Sequence, residues 1–291
     1  MTELRDVAKI ILRRGLPAKW YLQLVFRIKF GRWIDFKQPK TLNEKLQRNK
    51  LYGYQNIFTI LSDKYRVRQY VAGIIGEKYL IPLYTVLNSE KDFTLDLLPS
   101  SFAAKPTHSS GEILIVKDRS TLNEKKLRLE FRKWLKINHY KRSLEPQYKH
   151  IEPRILIEKL LLDQDENIPM DLKFHCFSGN VEMIQVDIDR FKDHRRNFYS
   201  IHWERLPFNW TPADKYKRPA YQGGPDVKPP ESLNEMVMLA EKLARNFGYI
   251  RVDLYNCQGT IYFGELTLSH GSGFEPFFPD EYDFYYGEKN V

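Results

Sequence analysis

The pattern of apolar and polar positions predicts short strands, most of them next to turn-forming residues. Alternating positions or short apolar runs mark four strands, at 78–84, 102–106, 113–116 and 154–161. Two further pairs of strands flank tight turns and are predicted to form antiparallel hairpins, 171–177 with 181–187 and 249–255 with 260–266. The sheets should therefore be built largely from antiparallel pairs.

Helical periodicity accounts for much of the remaining chain. Residues 1–52 are predicted to be helical, and Thr41 with Glu44 three positions later forms the capping-box pattern that starts a helix. Further helices are predicted at 63–71, 122–137 and 234–247. Residues 192–230 are rich in Pro, Trp, Tyr and charge with little periodicity, and predict a long loop. Helices mixed with antiparallel hairpins favour the α+β class over a doubly wound parallel sheet.

Composition narrows the function classes. Of the 291 residues 42% are hydrophobic, enough to bury a core, which excludes a disordered chain. The two cysteines, Cys176 and Cys257, lie outside any C-x-x-C pattern, which excludes a disulfide scaffold and a thiolate zinc site. No apolar stretch approaches the roughly 18–20 residues of a membrane span, and Glu3 and Asp6 are untypical of a signal peptide, so we expect a cytoplasmic location.

Positive charge is concentrated near the N-terminus. The net charge is +9, and residues 9–34 carry no acid but seven basic side chains, at Lys9, Arg13, Arg14, Lys19, Arg27, Lys29 and Arg32. Trp20, Phe26 and other apolar residues are interleaved with them. The mixture predicts peripheral contact of residues 1–34 with the anionic inner face of a membrane. The alternative is a helical hairpin that packs its apolar side on the body and leaves its charges in water.

Two carboxylates of the last predicted hairpin can act together. Asp253 and Glu265 lie on strands that pair antiparallel, so both side chains can converge on one face of the sheet, to which Arg251 also points. Facing carboxylates are costly unless a cation lies between them, and oxygen ligands of this kind suit Mg²⁺. The alternative is an exposed ladder of ion pairs among the three residues.

Two further segments could bind a nucleotide. Lys105 ends a predicted strand and precedes the small polar residues 107–111, whose backbone N–H groups and hydroxyls can contact phosphate oxygens. The apolar strand 154–161 can offer backbone groups to an adenine edge, and the downstream Asp171 can hold ribose hydroxyls. The alternatives are a turn with a surface lysine and an ordinary core strand.

Taken in chain order, these segments resemble the ATP-grasp superfamily, whose ligases place a first lysine before a second lysine with a Ser/Gly loop, a hinge, a ribose-binding acid and a metal-binding hairpin. The matching segments are Asp63-Lys64, Ala104-Lys105-Pro106 with Ser109-Ser110-Gly111, Glu158-Lys159-Leu160-Leu161, Asp171, and Arg251-Val252-Asp253 with Glu265-Leu266-Thr267. The sequences of these motifs are most similar to those of the TupA-like (teichuronopeptide biosynthesis) branch. The similar segments are residues 39–45, 62–65, 105–111 and 264–267.

The resemblance implies an α+β ATP-grasp fold in which two subdomains grip ATP between antiparallel sheets, with a helical basic extension at the N-terminus. Four parts are implied: the helical segment 1–62, a pre-grasp region 63–100, a small lid subdomain 101–160, and a C-terminal subdomain 161–291 with the metal hairpin and the acceptor-binding loop. The implied cofactors are ATP and Mg²⁺, the latter as two ions.

The family's roles carry over to named residues. ATP is expected to contact Lys64, Lys105, Ser109, Ser110, Gly111, Glu158, Lys159, Leu160, Asp171 and Lys173. The implied metal ligands are Asp253, Glu265 and Thr267, the last in place of the Asn that the superfamily usually has. Lys105 and Arg251 are the implied catalytic residues, because Lys105 neutralises phosphate charge and Arg251 stabilises the charge that develops on the acyl-phosphate.

The implied reaction is an ADP-forming ligation of a carboxylate to an amine through an acyl-phosphate. In the TupA-like branch the expected acceptor is a uronic-acid carboxylate of a surface polysaccharide, and the donor is an amino acid or another amine. Since arginine binds carboxylates in bidentate fashion, we expect the acceptor to contact Arg190, His194, Arg196, His270, Ser272 and Gly273. The alternative for residues 187–210 is a solvated basic loop.

Two other functions compete with this one. The triplet Asp187-Ile188-Asp189 matches the D-x-D pattern with which glycosyltransferases hold a metal on a nucleotide-sugar. The net positive charge permits nucleic-acid binding. That charge is concentrated at the N-terminus and in 190–218 and no nucleic-acid motif accompanies it, so we expect no nucleic-acid partner.

Overall fold

Two antiparallel sheets with helices around them organise the chain in this computed structural model, which describes residues 15–188, 193–214 and 217–290. The predicted α+β class is confirmed. The described helices are α1 (Ala18–Phe30), α2 (Leu42–Tyr52), α3 (Asn56–Ser62), α4 (Val67–Ile75), α5 (Glu124–Leu135), α6 (His139–Ser143), α7 (Leu233–Ala244) and α8 (Glu281–Lys289).

The small sheet consists of β1 (Leu83–Leu87), β2 (Phe102–Pro106), β3 (Leu114–Val116) and β4 (Ile155–Glu158). Its order is β1-β4-β2-β3, and each neighbouring pair is antiparallel. Helix α5 covers this sheet because its apolar residues recur at helical spacing and pack into one cluster with the strands, through Leu127, Phe131 and Trp134.

The large sheet consists of β5 (Asp171–Phe177), β6 (Asn180–Ile188), β7 (Arg195–Tyr199), β9 (Tyr249–Cys257) and β10 (Thr260–Thr267). Its order is β10-β9-β5-β6-β7, again antiparallel throughout. The strands β8 (Asn209–Trp210) and β11 (Phe277–Phe278) form a separate two-stranded sheet. Both predicted hairpins, β5–β6 and β9–β10, are confirmed.

The two faces of the large sheet differ in polarity, because side chains alternate along each strand. Leu172, Phe174, Val252 and Leu254 are buried in one cluster with apolar residues of α4 and α7. The intervening positions of the same two strands carry polar and charged side chains, at Asp171, Lys173, His175, Arg251 and Asp253. The polar face of the large sheet is therefore built mainly from β5 and β9.

The structure differs from the predicted elements in three places. Residues 63–71 are not one helix, because the Asp63 carboxylate accepts hydrogen bonds from the N–H groups of Tyr65 and Arg66 and holds a turn between α3 and α4. The strand predicted at 78–84 begins only at Leu83. The loop predicted at 192–230 contains β7 and β8, neither of which has a periodicity of its own. β7 pairs with β6 across a loop, and β8 pairs with β11, which is distant in sequence.

The predicted N-terminal helices are present. Thr41 and Glu44 form the capping box of α2, each side chain bonding the other residue's N–H group. In the described part of the chain, no helix is both long enough and apolar enough to cross a membrane. Residues 1–14 lie outside the described residues, together with the basic positions Lys9, Arg13 and Arg14.

Candidate active site

The hairpin β9–β10 brings two carboxylates face to face. Asp253 and Glu265 are register partners, and a bulge at Gly264 sets that register. A β-carbon at Gly264 would crowd the Asp253 carbonyl oxygen at 3.1 Å. Arg251 lies between the carboxylates: Nε and Nη2 each donate to Asp253 at 2.7 Å, and Nη2 also donates to Glu265 at 2.6 Å. The predicted convergence is present; Arg251 and Asp253 are buried, and the Glu265 side chain is 36% exposed.

Burial and charge act on the two carboxylates in different ways. Burial raises the pKa of Asp253 to about 7; the carboxylates of Asp171 and Glu265 add to that effect and Arg251 opposes it. Burial also raises the pKa of Glu265, but the Arg251 and Lys64 cations outweigh it and bring the value to about 2. Lys173 also lowers the pKa of both carboxylates, so this face of the sheet brings the acids Asp171, Asp253 and Glu265 together with the cations Arg251, Lys64 and Lys173.

The donor set around Asp253 and Glu265 fits Mg²⁺. Carboxylate oxygens are the ligands that this hard cation prefers, and it is commonly held by one or two of them together with substrate phosphates. Oε1 of Glu265 accepts from Arg251 and, at 3.0 Å, from the Thr267 hydroxyl, while Oε2 makes no hydrogen bond with any described residue. No group of three or more His, Cys, Asp and Glu side chains suited to a metal occurs in the described ranges. Metal binding by Thr267 stays a prediction; here its hydroxyl positions Glu265.

Two lysines from separate segments lie close together, and one of them is near this cluster. Lys105 of β2 forms an ion pair with Glu158 at the end of β4, with 2.6 Å between Nζ and Oε1. Lys64 lies in the turn after α3, where its ammonium donates to the Ser109 carbonyl. Burial lowers the pKa of Lys64, and the charges of Glu265 and Lys105 act on it in opposite directions. The turn after α3 thus joins the loop after β2 to the Glu265 carboxylate of β10.

The loop after β2 is held by residues that the sequence analysis missed. The Ser109 hydroxyl donates to Glu112 Oε2 at 2.7 Å, and the other oxygen of Glu112 binds Arg142 at 2.8 Å. Ser110 and Gly111 are exposed, and Gly111 has a φ of +105°, which favours glycine. The short spacing between Ser109 and Glu112 is the one local sequence feature that could have indicated these contacts. Arg142 is 30 positions from Glu112 and could not be found in this way.

The predicted hinge and ribose positions follow β4 and begin β5. The Lys159 N–H donates to the Pro82 carbonyl at 2.9 Å, so the chain is still paired to the segment before β1 where it leaves the small sheet. Leu160 is buried and Lys159 is exposed. Lys173 is buried, pairs with Asp171, and lies 3.2 Å from Asp187 Oδ2.

A chain of ion pairs links Asp187 to Arg251. Asp187 binds Arg196 Nε at 2.7 Å, and Arg196 Nη1 binds Glu275 at 3.0 Å. Glu275 accepts from His270 Nε2 at 3.1 Å, and Arg251 Nη1 donates to His270 Nδ1 at 2.9 Å. Arg196 and His270, predicted to bind the acceptor, are both buried within this chain of contacts. Their acceptor contacts stay a prediction, whereas the contacts to Glu275 had no sequence signal.

Asp187 is surrounded by cations. Besides Arg196 and Lys173, the Nε2 atom of His194 lies 3.1 Å from Oδ1 of Asp187. Burial raises the pKa of Asp187, but His194, Arg196 and Lys173 together hold it well below its ordinary value. The remaining acid of the D-x-D triplet, Asp189, lies outside the described residues, as does Arg190.

The hydrogen-bond partners of His270 fix its protonation state. Arginine can only donate, so Nδ1 must accept from Arg251, and Nε2 carries the proton that is donated to Glu275. Burial lowers the pKa of His270 to about 4 in spite of the Glu275 carboxylate. His270 is therefore a neutral link between a guanidinium and a carboxylate at neutral pH.

The turn after His270 is held by α2. Ser272 has a φ of +55° and Gly273 of +64°, both in the left-handed region. Lys50 Nζ donates to the Ser272 hydroxyl at 2.6 Å, and Gln47 Nε2 donates to the Gly273 carbonyl at 2.6 Å. A β-carbon at Gly273 would lie 2.6 Å from Gln47 Nε2. Ser272 and Gly273, predicted to bind the acceptor, thus have contacts that fix the turn.

A protein-family model described as TupA-like ATPgrasp matches residues 44–291, more than four fifths of the chain. No curated protein matches the sequence. Three of the similar solved structures are a D-alanine–D-alanine ligase from Bacillus anthracis complexed with ATP, a D-alanine–D-alanine ligase from Helicobacter pylori, and the ADP complex of purK, N5-carboxyaminoimidazole ribonucleotide synthetase.

These structural likenesses are remote. The Bacillus anthracis enzyme has 16% identity and a TM-score of 0.41 over 73% of this chain, and the Helicobacter pylori enzyme 19% and 0.41 over 79%. For purK the values are 11% and 0.44 over 73%. The matched parts are 55%, 60% and 46% of those proteins, respectively, so the chain spans about half the length of each.

Proposed function

The chain belongs to the TupA-like ATP-grasp family, and from that premise we propose that it is an ADP-forming ligase that joins a carboxylate to an amine. The observation that carries the proposal is that Lys64 lies near both Lys105 and Glu265, and that Glu265 is the register partner of Asp253, although these residues come from separate parts of the chain. Cations for phosphate oxygens and carboxylates for a metal are the groups that ATP-dependent phosphoryl transfer needs.

We propose that ATP lies between the small sheet and the polar face of the large sheet. Lys64 and Lys105 then neutralise phosphate charge, and the loop of Ser109, Ser110 and Gly111 covers the γ-phosphate. Backbone groups of 158–160 bind the adenine edge, and Asp171, beside Lys173, binds the ribose. The division into parts at 62/63, 100/101 and 160/161 belongs to the same proposal, and the separate apolar core of the small sheet supports it.

Asp253 and Glu265 would hold Mg²⁺, whose charge, when bound, neutralises the phosphate oxygens as they transfer. Two observations support this assignment. Burial, together with the charges of Asp171 and Glu265, raises the pKa of Asp253, and Glu265 Oε2 has no hydrogen-bond partner among the described residues. We propose two ions, with Thr267 in the position of the family's usual Asn.

The proposed reaction has two steps. An acceptor carboxylate oxygen attacks the γ-phosphorus, the bond to the β–γ bridging oxygen breaks, and ADP leaves. The amine nitrogen then attacks the carbonyl carbon of the acyl-phosphate, inorganic phosphate leaves, and the nitrogen loses a proton. The chain contributes mainly positioning and charge: Lys105 faces the departing phosphate, and Arg251, held by Asp253 and Glu265, stabilises the oxygen anions that develop.

We further propose that the acceptor is a uronic-acid carboxylate of a surface polysaccharide, the donor an amino acid or another amine, and the location the cytoplasm. The support is the family branch together with the basic groups beside the site. Of these, His194 lies partly exposed against Tyr221, with ring centroids 3.9 Å apart. The glycosyltransferase alternative is less well supported, because Asp187 already binds Lys173 and Arg196.

The test has two arms. Thermal unfolding with Mg·ATP should show stabilisation, about 2.7 kcal/mol at a ligand concentration of 100 Kd, and ATP with a chelator should give less. ADP release should require a uronic acid together with an amine, and the neutral hexose should not replace the uronic acid. A folded protein without a shift at millimolar Mg·ATP refutes the nucleotide proposal. A thermal shift with Mg·ATP, combined with ADP release when a neutral hexose replaces the uronic acid, refutes only the proposed acceptor.

A further inference from the structure

Helix α1 carries an apolar surface on the side that faces solvent. Its inward residues, Leu22 and Phe26, are fully buried. Trp20, Leu24 and Ile28 follow one another at four-residue spacing on the opposite side, where Trp20 is 61% and Ile28 72% exposed. An amphipathic surface helix normally turns its polar side outward. Here the solvent side is apolar, which indicates that something other than water contacts it.

Exposed cations and a further indole lie near this surface. The exposed Arg27 guanidinium lies 5.8 Å from the ring centroid of Trp33, which is itself 54% exposed in the turn after α1. Lys19 is exposed as well, and its ammonium lies 5.8 Å from the ring centroid of Phe36, which is buried in one cluster with Leu22 and Phe26. No acid occurs in residues 15–34. Arg32 is paired with Asp280 and Asp283, so these distant acids neutralise Arg32 and not the outward cations.

We propose that α1 and the turn through Trp33 bind an anionic lipid surface. Indole rings and an isoleucine beside arginine and lysine match the boundary between headgroups and acyl chains, where aromatic rings lie at the interface and cations bind phosphate groups. A second copy of the chain fits less well. Each copy has a net charge of +9, and the contact would bring the basic residues of one copy against the same basic residues of the other. The sequence-based hypothesis of membrane contact thereby acquires a defined surface, independent of the ligase proposal.

The test is co-sedimentation of the full chain with vesicles, without nucleotide. Vesicles of phosphatidylcholine with about one third phosphatidylglycerol should bind the protein, and vesicles of phosphatidylcholine alone should not. Binding should weaken at 0.5 M salt because the Debye length shortens. At about 1 kcal/mol per engaged cation, the variant K19E/R27E should partition at least about thirtyfold less. W20S/I28S should also lose binding while its thermal unfolding remains that of the wild type.

A matched control comes from the small-sheet region. Leu97 is 83% exposed and follows an exposed acid, Asp96, instead of a cation, so L97S should sediment like the wild type. Equal binding to both kinds of vesicle, no binding to either, or an L97S loss as large as that of W20S/I28S overturns the proposal. A dimer in light scattering that W20S/I28S dissociates also overturns it, in favour of a second copy on this surface.

Discussion

The Arg251 guanidinium donates two hydrogen bonds to the Asp253 carboxylate, each 2.7 Å long, from Nε and from Nη2. The same Nη2 reaches Glu265 across the hairpin, so one fixed cation joins both carboxylates. Arginine does not lose its proton, so Arg251 stays charged, whereas Asp253, with a pKa of about 7, loses its charge as the pH falls below neutrality. In the proposed function Asp253 and Glu265 would hold a metal beside Arg251, and Glu265 Oε2 accepts no hydrogen bond from a described residue.

Asp253→Asn and Glu265→Gln should each lower ADP formation by at least about a hundredfold, since each removes a charged ligand worth several kcal/mol of stabilisation. Far-UV circular dichroism should show the fold retained, because neither change alters side-chain volume. Steady-state ADP release checks the rate. Asp193→Asn, at an exposed carboxylate that pairs with Arg195, is the matched control and should keep the wild-type rate. Wild-type rates in both site variants would mean that the hairpin is only an ion-pair ladder.

Lys105→Met should raise the KM for ATP about tenfold or more, because a hydrogen bond to a charged phosphate is lost. It should also lower Tm, since Glu158 is left buried without its cation. The double variant K105M/E158Q should recover Tm but not the KM, which separates the two roles of the lysine.

The control for this pair is Lys91→Met, at an exposed lysine of the small-sheet region, which should change neither quantity. If K105M/E158Q restores the affinity for ATP together with Tm, Lys105 has only a structural role. The kinetic and thermal measurements on the same preparations decide between these outcomes.

The elements that carry a local signal could be predicted from the sequence. The β9–β10 hairpin has alternating strands on either side of a tight turn, so the face shared by Arg251, Asp253 and Glu265 follows from a two-residue period. The capping box at Thr41 is likewise contained in four consecutive residues. In these places local chemistry and tertiary packing favour the same structure.

The contacts behind the hairpin could not be predicted in this way. Arg196 and Glu275 are 79 positions apart, and they meet because the two short strands β8 and β11 pair. Strands of two residues have no measurable periodicity. Acceptor binding by Arg196 and His270 stays a prediction, and their partners within the protein depend on tertiary packing. The turn at Asp63 was missed because its hydrogen bonds interrupt an otherwise helical pattern.

Asp187→Asn should destabilise the protein by about 3 kcal/mol, because it leaves the buried Lys173 and Arg196 with one anion fewer. Urea unfolding measures this loss. The KM for ATP, measured under conditions where the variant is folded, should change less than about threefold. The free-energy change that corresponds to such a factor is smaller than the net contribution of one ordinary hydrogen bond. Unchanged stability with lost nucleotide-sugar turnover would instead support the glycosyltransferase alternative.

His270→Asn should change how stability depends on pH. In the folded protein the pKa of His270 is about 4, and in the unfolded chain it is near 6.5, so between these values the unfolded state binds the extra proton. The histidine thus makes the wild type less stable as pH falls from 6.5 to 4. Asparagine still offers an acceptor oxygen to Arg251 but does not titrate, so this part of the loss should disappear.

Urea unfolding of both proteins between pH 7.5 and pH 4.5 checks the sign. The free energy of unfolding of the wild type, minus that of His270→Asn, should decrease by up to about 3 kcal/mol as pH falls, at about 1.36 kcal/mol per pKa unit. His175, whose pKa burial also lowers well below its ordinary value, is present in both proteins, and because the charge of His270 lowers it further, the difference reports His270 together with its effect on His175. The exposed His202 supplies the control, since His202→Asn should give a curve parallel to the wild type. A difference between wild type and His270→Asn that stays constant with pH, or that grows as pH falls, would show that His270 is protonated in the folded protein, and that Arg251 does not donate to its Nδ1.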